Sequence, residues 1–333
     1  MSEAVHQVGD VATARRLRLS WSRELSLLAV IIVVTLAVGA LDHSFIAENN
    51  LRFMILNSVV LSLVALGQTL VIATRGIDLS VAPMLGLGAI VPGLLAQQSG
   101  LPLWEAVLIV LAMGAVLGTL NGVLVANLNI PPIIVTLGTY SIYGGFMFIY
   151  SDGVQVYAVP KAYETLGNGL ILGVVPIPVA LLVVIAGLIW FMLNHTLFGR
   201  ALAAVGNNEK AAYNAGVACT STLIRTYTIA GVLACFAGLV FVSYMGSATV
   251  TTGTGDHLEL QSVAVVLIGG TVAAGGRGNV IGTVMGSLFL SVILTALVFM
   301  HVPPIWYSAG EGLMILIAVS AGVSQLNARR RSR

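Results

Sequence analysis

Long apolar runs recur along almost the entire chain, and lysine, which would interrupt them, occurs only at Lys161 and Lys210. A helix crosses the hydrocarbon core of a bilayer with roughly 20 mostly apolar residues, because about 30 Å must be covered at about 1.5 Å per residue. Runs suited to this are Leu25 to Leu41, Met54 to Thr74, Leu79 to Ala96, Trp104 to Ala126, Ile133 to Tyr150, Val174 to Leu193, Ile224 to Tyr244, Glu259 to Ala274, Val280 to Met300 and Tyr307 to Val323. The fold class is therefore all-α, a polytopic membrane bundle of about ten transmembrane helices with both termini on the same side. Continuous apolarity argues against a membrane β-barrel, whose strands alternate in polarity. Charged residues make up 8% of the chain, against about a quarter in a globular domain, so the reading places no soluble domain between the runs.

Orientation follows from the basic residues, which accumulate in short cytoplasmic loops. With the N-terminus inside, Arg15, Arg16, Arg18, Arg23, Arg75, Arg200, Lys210, Arg225, Arg277, Arg329, Arg330, Arg331 and Arg333 are cytoplasmic, and only Arg52 and Lys161 fall outside. Both termini are thus predicted to be cytoplasmic: residues 1–24 form a tail, 25–323 a single transmembrane domain with a cytoplasmic loop at 194–223, and 324–333 a basic tail. The first apolar run resembles a secretory signal in its Arg-rich approach and in Ala37, Val38 and Gly39, but the spans that follow favour an uncleaved helix. The weakest spans are 259–274, which is short, and 79–96, where Gly and Pro suggest a broken or re-entrant course. Arg75-Gly76 and Arg277-Gly278 each end a helix entering the cytoplasm, a pattern that suggests an internal duplication. Gly114, Gly118 and Gly122 share one helix face, as do Gly282 and Gly286, and small residues at such spacing let helices approach closely in lipid.

What chemistry is missing narrows the function. Asp78, Glu105, Glu259 and Glu311 all fall near span ends, which argues against an ion-coupled secondary carrier. Neither lysine sits in the Gly-x-x-x-x-Gly-Lys-Ser/Thr loop that grips nucleotide phosphates, so an ATP motor would be a separate chain. Cys219 and Cys235 are too few for a disulfide scaffold, no metal site or cofactor is expected, and the arginines at 329–333 read as a solvated tail without a nucleic-acid partner. Absence of a buried nucleophile or acid-base constellation argues against an enzyme.

Uncharged polar groups within spans are what remains: Asn57, Gln68, Asn121, Thr139, Tyr140, Tyr143 and Gln261, with Ser58, Ser62, Thr136, Ser141 and Ser262. Such amides and hydroxyls can replace the hydration of a passing polar solute, and each can equally make an interhelical hydrogen bond. The stretch from Phe198 to Val217 reads as one or two short helices with small apolar residues on one side, suited either to a partner or to the membrane surface.

Several segments resemble the permeases of bacterial ATP-binding-cassette (ABC) importers for ribose and related monosaccharides, a group that includes autoinducer-2 and branched-chain amino acid permeases. The carrying segments are Arg75-Gly76-Ile77-Asp78-Leu79-Ser80-Val81, Pro132-Ile133-Ile134-Val135-Thr136-Leu137-Gly138-Thr139, Gly199-Arg200 with Ala204-Val205-Gly206-Asn207, and Gly269-Gly270-Thr271 with Gly275-Gly276-Arg277-Gly278 and Ile281-Gly282-Thr283. The likeness implies a multi-pass subunit of the bacterial inner membrane, paired with a second permease chain. It implies a cytoplasmic ABC ATPase that consumes the ATP, and a periplasmic or lipid-anchored solute-binding protein. It also implies that Gly199, Arg200, Gly206, Asn207, Ala211, Ala212 and Gly216 belong to the region that couples to the ATPase. The 76–81 motif reads mainly as architecture, with Asp78 or Ser80 capping a helix. Ala82-Pro83 and the stretch from Thr295 to Trp306 depart from the ribose-type pattern. Another pentose, a deoxysugar or autoinducer-2 stays open as the solute, with a branched-chain amino acid as the nearest alternative.

Overall fold

A computed structural model describes residues 23–303, 305–307, 309–310, 312–313 and 316. Eight of its helices are long and apolar enough to cross a membrane: α1 (Arg23–Leu41), α2 (Glu48–Ala73), α3 (Val81–Ser99), α4 (Leu103–Asn127), α5 (Pro132–Ser151), α7 (Ile177–His195), α10 (Cys219–Met245) and α12 (Val280–Phe299). The shorter helices are α6 (Lys161–Asn168), α8 (Leu197–Asn207), α9 (Glu209–Asn214) and α11 (Leu258–Ile268), and a small hairpin pairs β1 (Leu170–Ile171) with β2 (Val175–Pro176).

The expectation for 79–96 resolves in favour of a continuous helix, since α3 runs unbroken to Ser99 with Pro92 inside it. The expectation for 259–274 does not hold as a full span. Its helix, α11, has only 11 residues, about 16 Å of rise, roughly half the hydrocarbon core. The physical reason lies in its glycines: Gly270, two residues past the last helical residue, takes a left-handed φ of 97° that stops the helix, and Gly275 and Gly276, at 81° and 87°, keep the following chain non-helical. The segment proposed for the last crossing, from Tyr307 to Val323, lies mostly outside the described residues.

Burial ranks the helices. In α2, 89% of the apolar window is buried, against 17% in α1 and α7. The centre is formed by α2, α3 and α10, which contribute the fully covered Leu63, Leu66, Met84, Leu85, Ala234 and Leu239. At the periphery, α1 packs on α12 through Ile31, Val38, Val292 and Ala296.

Glycine decides how closely α4 and α10 approach. A Cβ added at Gly114 would lie 2.5 Å from the Gly231 carbonyl oxygen, and one at Gly122 would lie 2.7 Å from Ile224 Cα. Gly118 faces the Tyr227 carbonyl in the same way. The other face read from sequence behaves alike: Gly286 lies over Val265 of α11, and Gly282 over Gly269.

Arg75 and Arg52 stand at opposite ends of the bundle. At one end, Arg75 reaches Ala274 and Asn207, bringing the loops after α2, α8 and α11 together. At the other, Arg52 Nη2 donates to the Asn168 carbonyl, the Asn168 carboxamide donates to Tyr244 O at 3.1 Å, and Val156 bridges to Ala248.

Close packing of α4 on α10 gives a direct test. Gly118→Leu is expected to destabilise the fold by about 1–3 kcal/mol or more, the ordinary cost of overpacking, as a lowered unfolding midpoint in detergent. Gly187→Leu, at a glycine with open space around it, is expected to leave that midpoint within error.

Candidate functional site

A cavity of about 570 Å³ opens between α2, α10, α11 and α12. Its walls run from Asn50, near the start of α2, to Val60 and Leu61 near that helix's midpoint. It therefore occupies the half of the bundle that holds Arg52, away from Arg75. Apolar walls come from Phe53, Phe241, Leu294 and Phe299, and polar groups from Asn57, Asp256, His257, Gln261, Ser291 and Thr295.

The polar side chains are held by their neighbours. The Tyr244 hydroxyl donates to Asn57 Oδ1. Gln261 Nε2 donates to the Asp256 carbonyl at 2.8 Å, Ser291 Oγ to the Met54 carbonyl at 2.8 Å, and His257 Nδ1 lies 3.7 Å from Glu259 Oε1. Much of this wall is irregular backbone. After α10 ends at Gly246 in a left-handed conformation, residues 246–257 fold back against α3. A Cβ at Gly253 would come within 2.6 Å of the Ala82 carbonyl, and one at Gly86 within 2.7 Å of the Thr252 carbonyl. A non-helical segment so placed in a membrane protein is tolerated where it is packed in protein or lines a cavity, and here it does both.

Of the residues named from sequence as lining candidates, Asn57 and Gln261 face this cavity. Gln68, Asn121, Thr139 and Tyr143 are buried elsewhere, and Tyr140 is half-buried on α5. Gln68, Asn121 and Tyr143 form part of a polar node around the turn that starts α3. Asp78 Oδ1 accepts from Ser80 N at 2.9 Å and Ser80 Oγ at 2.6 Å, and Asn121 Nδ2 donates to Ser80 Oγ at 2.8 Å. The Tyr143 hydroxyl donates to Leu117 O at 3.0 Å, with Asn121 Oδ1 at 3.3 Å. With its nitrogen turned toward the carbonyl, the Gln68 carboxamide spans the Asp78 backbone, donating to O at 3.3 Å and accepting from N at 3.2 Å. Thr136 Oγ1 donates to Ile77 O at 3.0 Å, while Thr139 bonds back to Val135 within its own helix. Asp78 is near a span end in sequence but fully buried in space, because the chain turns back into the bundle after Arg75.

Sequence reasoning did not single out Asp256, His257, Ser291 and Thr295. The only signal available for the first two was a polar, glycine-rich stretch between two apolar runs, which looks like any connecting loop.

At the Arg75 end of the bundle, α8 leads into α9 through the extended Asn208. Thr196 caps α8 by accepting from Gly199 N at 3.3 Å, and Asn208 caps α9 by accepting from Ala211 N at 3.1 Å. Gly199, Gly206 and Ala212 are buried, with Gly206 against the Ala73 carbonyl. Arg200, Asn207, Ala211 and Gly216 are exposed, so the pair has an anchored face and a free one. Beside α9 lies a groove of about 600 Å³ between Asn127, Tyr213, Ser221 and Arg225. No group of three or more His, Cys, Asp or Glu side chains suited to a metal occurs among the described residues.

Comparison with known proteins matches this architecture to a family. Residues 50–319 match the model described as branched-chain amino acid transport system / permease component. An autoinducer 2 import system permease protein LsrC from Enterobacter sp. (strain 638) is 37% identical over 310 residues, covering 93% of this chain and 88% of that protein. The protein of that name from Escherichia coli (strain K12 / DH10B) is 35% identical over 295 residues, covering 89% and 85%. Its counterpart from Photorhabdus laumondii subsp. laumondii is 34% identical over 295 residues, covering 89% and 87%. No solved structure matches the chain. Eight membrane-length helices among the described residues, a half-membrane cavity and this agreement over most of the sequence lead to one conclusion: the chain belongs to the branched-chain amino acid transport system permease component family, as a multi-pass permease of the bacterial inner membrane.

Proposed function

We propose that this permease admits a small, neutral, polyhydroxylated solute of the monosaccharide or autoinducer-2 class, as the translocating subunit of an ABC importer. The observation that carries the reading is the half-membrane cavity, where amide and hydroxyl groups stand among aromatic and aliphatic walls. Such a lining exchanges hydration for hydrogen bonds at little net cost and takes the carbon skeleton against apolar surface. The similarity to autoinducer 2 import permeases points the same way.

The power comes from a separate cytoplasmic ATPase, and the solute arrives from a solute-binding protein on the outer side. A second permease chain completes the pathway. The ATPase docks on the free face of α8 and α9, where Ala211 and Tyr213 are exposed beside the groove at Arg225. Gly206 plays a different part from Ala211: it is the point where α8 touches α2. ATP binding closes the ATPases, shifts α8 and α9, and biases the bundle between outward-open and inward-open arrangements, a transition governed by ligands at separate sites.

Proteoliposomes containing the permease, its ATPase and its binding protein are expected to accumulate a sugar-type solute only with ATP inside the ATPase compartment. Uphill accumulation by the permease alone would remove the reading, and saturation of the binding protein by leucine rather than sugars would replace the solute class. Asn57→Leu is expected to lower uptake about tenfold, in line with loss of a polar contact worth about 1–2 kcal/mol, while ATP hydrolysis continues. Ala211→Trp is expected to weaken association with the ATPase about tenfold or more in a binding titration without changing membrane insertion.

A further inference from the structure

Three segments far apart in sequence meet at one end of the bundle around one side chain. Arg75 stands just past the end of α2, at φ 67°. Its Nε donates to the Ala274 carbonyl at 2.7 Å, and its Nη2 donates to the carbonyl of Asn207, the last residue of α8. Around it the backbone is pressed together. Gly276 N donates to Ala73 O at 2.8 Å, and a Cβ at Gly275 would lie 2.6 Å from Arg75 Cγ and 2.7 Å from Gly206 O. The end of a helix exposes unsatisfied carbonyls and the negative pole of its dipole. A guanidinium there is held by charge as well as by geometry.

Each segment that Arg75 touches leads inward. Beyond Ala274, the loop is fastened to both neighbouring helices: Asn279 N donates to Thr271 Oγ1 at 3.0 Å, Asn279 Nδ2 donates to Gly269 O at 3.1 Å, and Gly282 N donates to Asn279 Oδ1 at 3.0 Å. Gly269 closes α11, and α11 carries Leu258 and Gln261 in the cavity wall. On its other side, Arg75 is followed by the turn at Asp78 that starts α3.

We propose that Arg75 is a positioning residue of the transport cycle, a clasp that ties the end of α8 to the loop after α11 so that displacement of α8 is passed to the cavity wall. The proposal rests on the reading of α8 and α9 as the ATPase-docking pair. Two properties of the side chain suit it to the task. A guanidinium offers several N–H donors in a fixed fork, so one residue can hold two carbonyls from different segments at once. Lysine, with a single ammonium on a flexible stem, cannot hold that pair with the same fixed geometry.

The test uses the complete importer in proteoliposomes and reads the number of solute molecules moved per ATP hydrolysed. In R75A this ratio is expected to fall about tenfold while the ATPase stays bound and continues to hydrolyse ATP, and R75K is expected to fall between R75A and the native protein. Spin labels at Ala203 on α8 and Leu260 on α11 supply a second readout. In the native complex both report a nucleotide-dependent displacement, and in R75A only the α8 label does. If R75A does not reach the membrane, R75Q, neutral and lacking the fork, is expected to show the same drop. Uptake and hydrolysis falling in proportion, with the ratio unchanged, would mark Arg75 as merely structural and overturn the proposal, as would an α11 label that still moves in R75A. A native permease that does not bind the ATPase through α8 and α9 would overturn the docking reading itself, a failure visible before any Arg75 variant is made.

Discussion

A bilayer supplies no hydrogen bonds to exposed peptide groups, and everything unusual in this permease is arranged around that fact. Three of the described non-helical stretches pack closely against the buried helices: the turn at 74–80, the segment 246–257 and the loop 269–279. Each is fastened to the surrounding protein. The first is gripped by Gln68, Ser80 and Asn121, the second packs on α3 and is tied to Gln261, and the third is pinned by Asn279. The most buried helices, α2, α3 and α10, house these stretches, while α1 and α7 meet lipid with ordinary apolar surface.

Close approach is the second requirement, and glycine meets it. Lipid tails give apolar side chains no reward for leaving them, so association depends on contact area and interhelical hydrogen bonds. Where α4 meets α10, backbone rests on backbone at Gly114, Gly118, Gly122 and Gly231. Thr119 Oγ1 of α4 and Thr228 Oγ1 of α10 share a hydrogen bond of 2.8 Å within this contact, and the polar node around Asp78 ties α4 onward to α5 and to the turn before α3 through Asn121 and Tyr143. Packing and polarity thus fix the same helices.

The fold class and the small-residue faces were legible in the sequence, because hydropathy and glycine spacing each report one physical requirement. The course of 259–274 was only half legible. Its apolar content resembles a span, yet where the helix ends depends on glycine φ values that composition does not encode. The site was less legible still. Asn57 and Asn121 are chemically identical and both sit within apolar runs, yet one faces the cavity and the other is locked to Ser80. Only the rotation of each helix about its axis separates them, and helices apolar on every side leave no periodicity from which to read that rotation.

The brevity of α11 has a mechanical consequence. Because the cavity already reaches the level of Val60 and Leu61, halfway along α2, a solute at its floor has only about half of the roughly 30 Å hydrocarbon thickness left to cross. What separates that floor from the far face is the Arg75 end of the bundle, where every residue of α2 from Leu63 to Ala73 is buried.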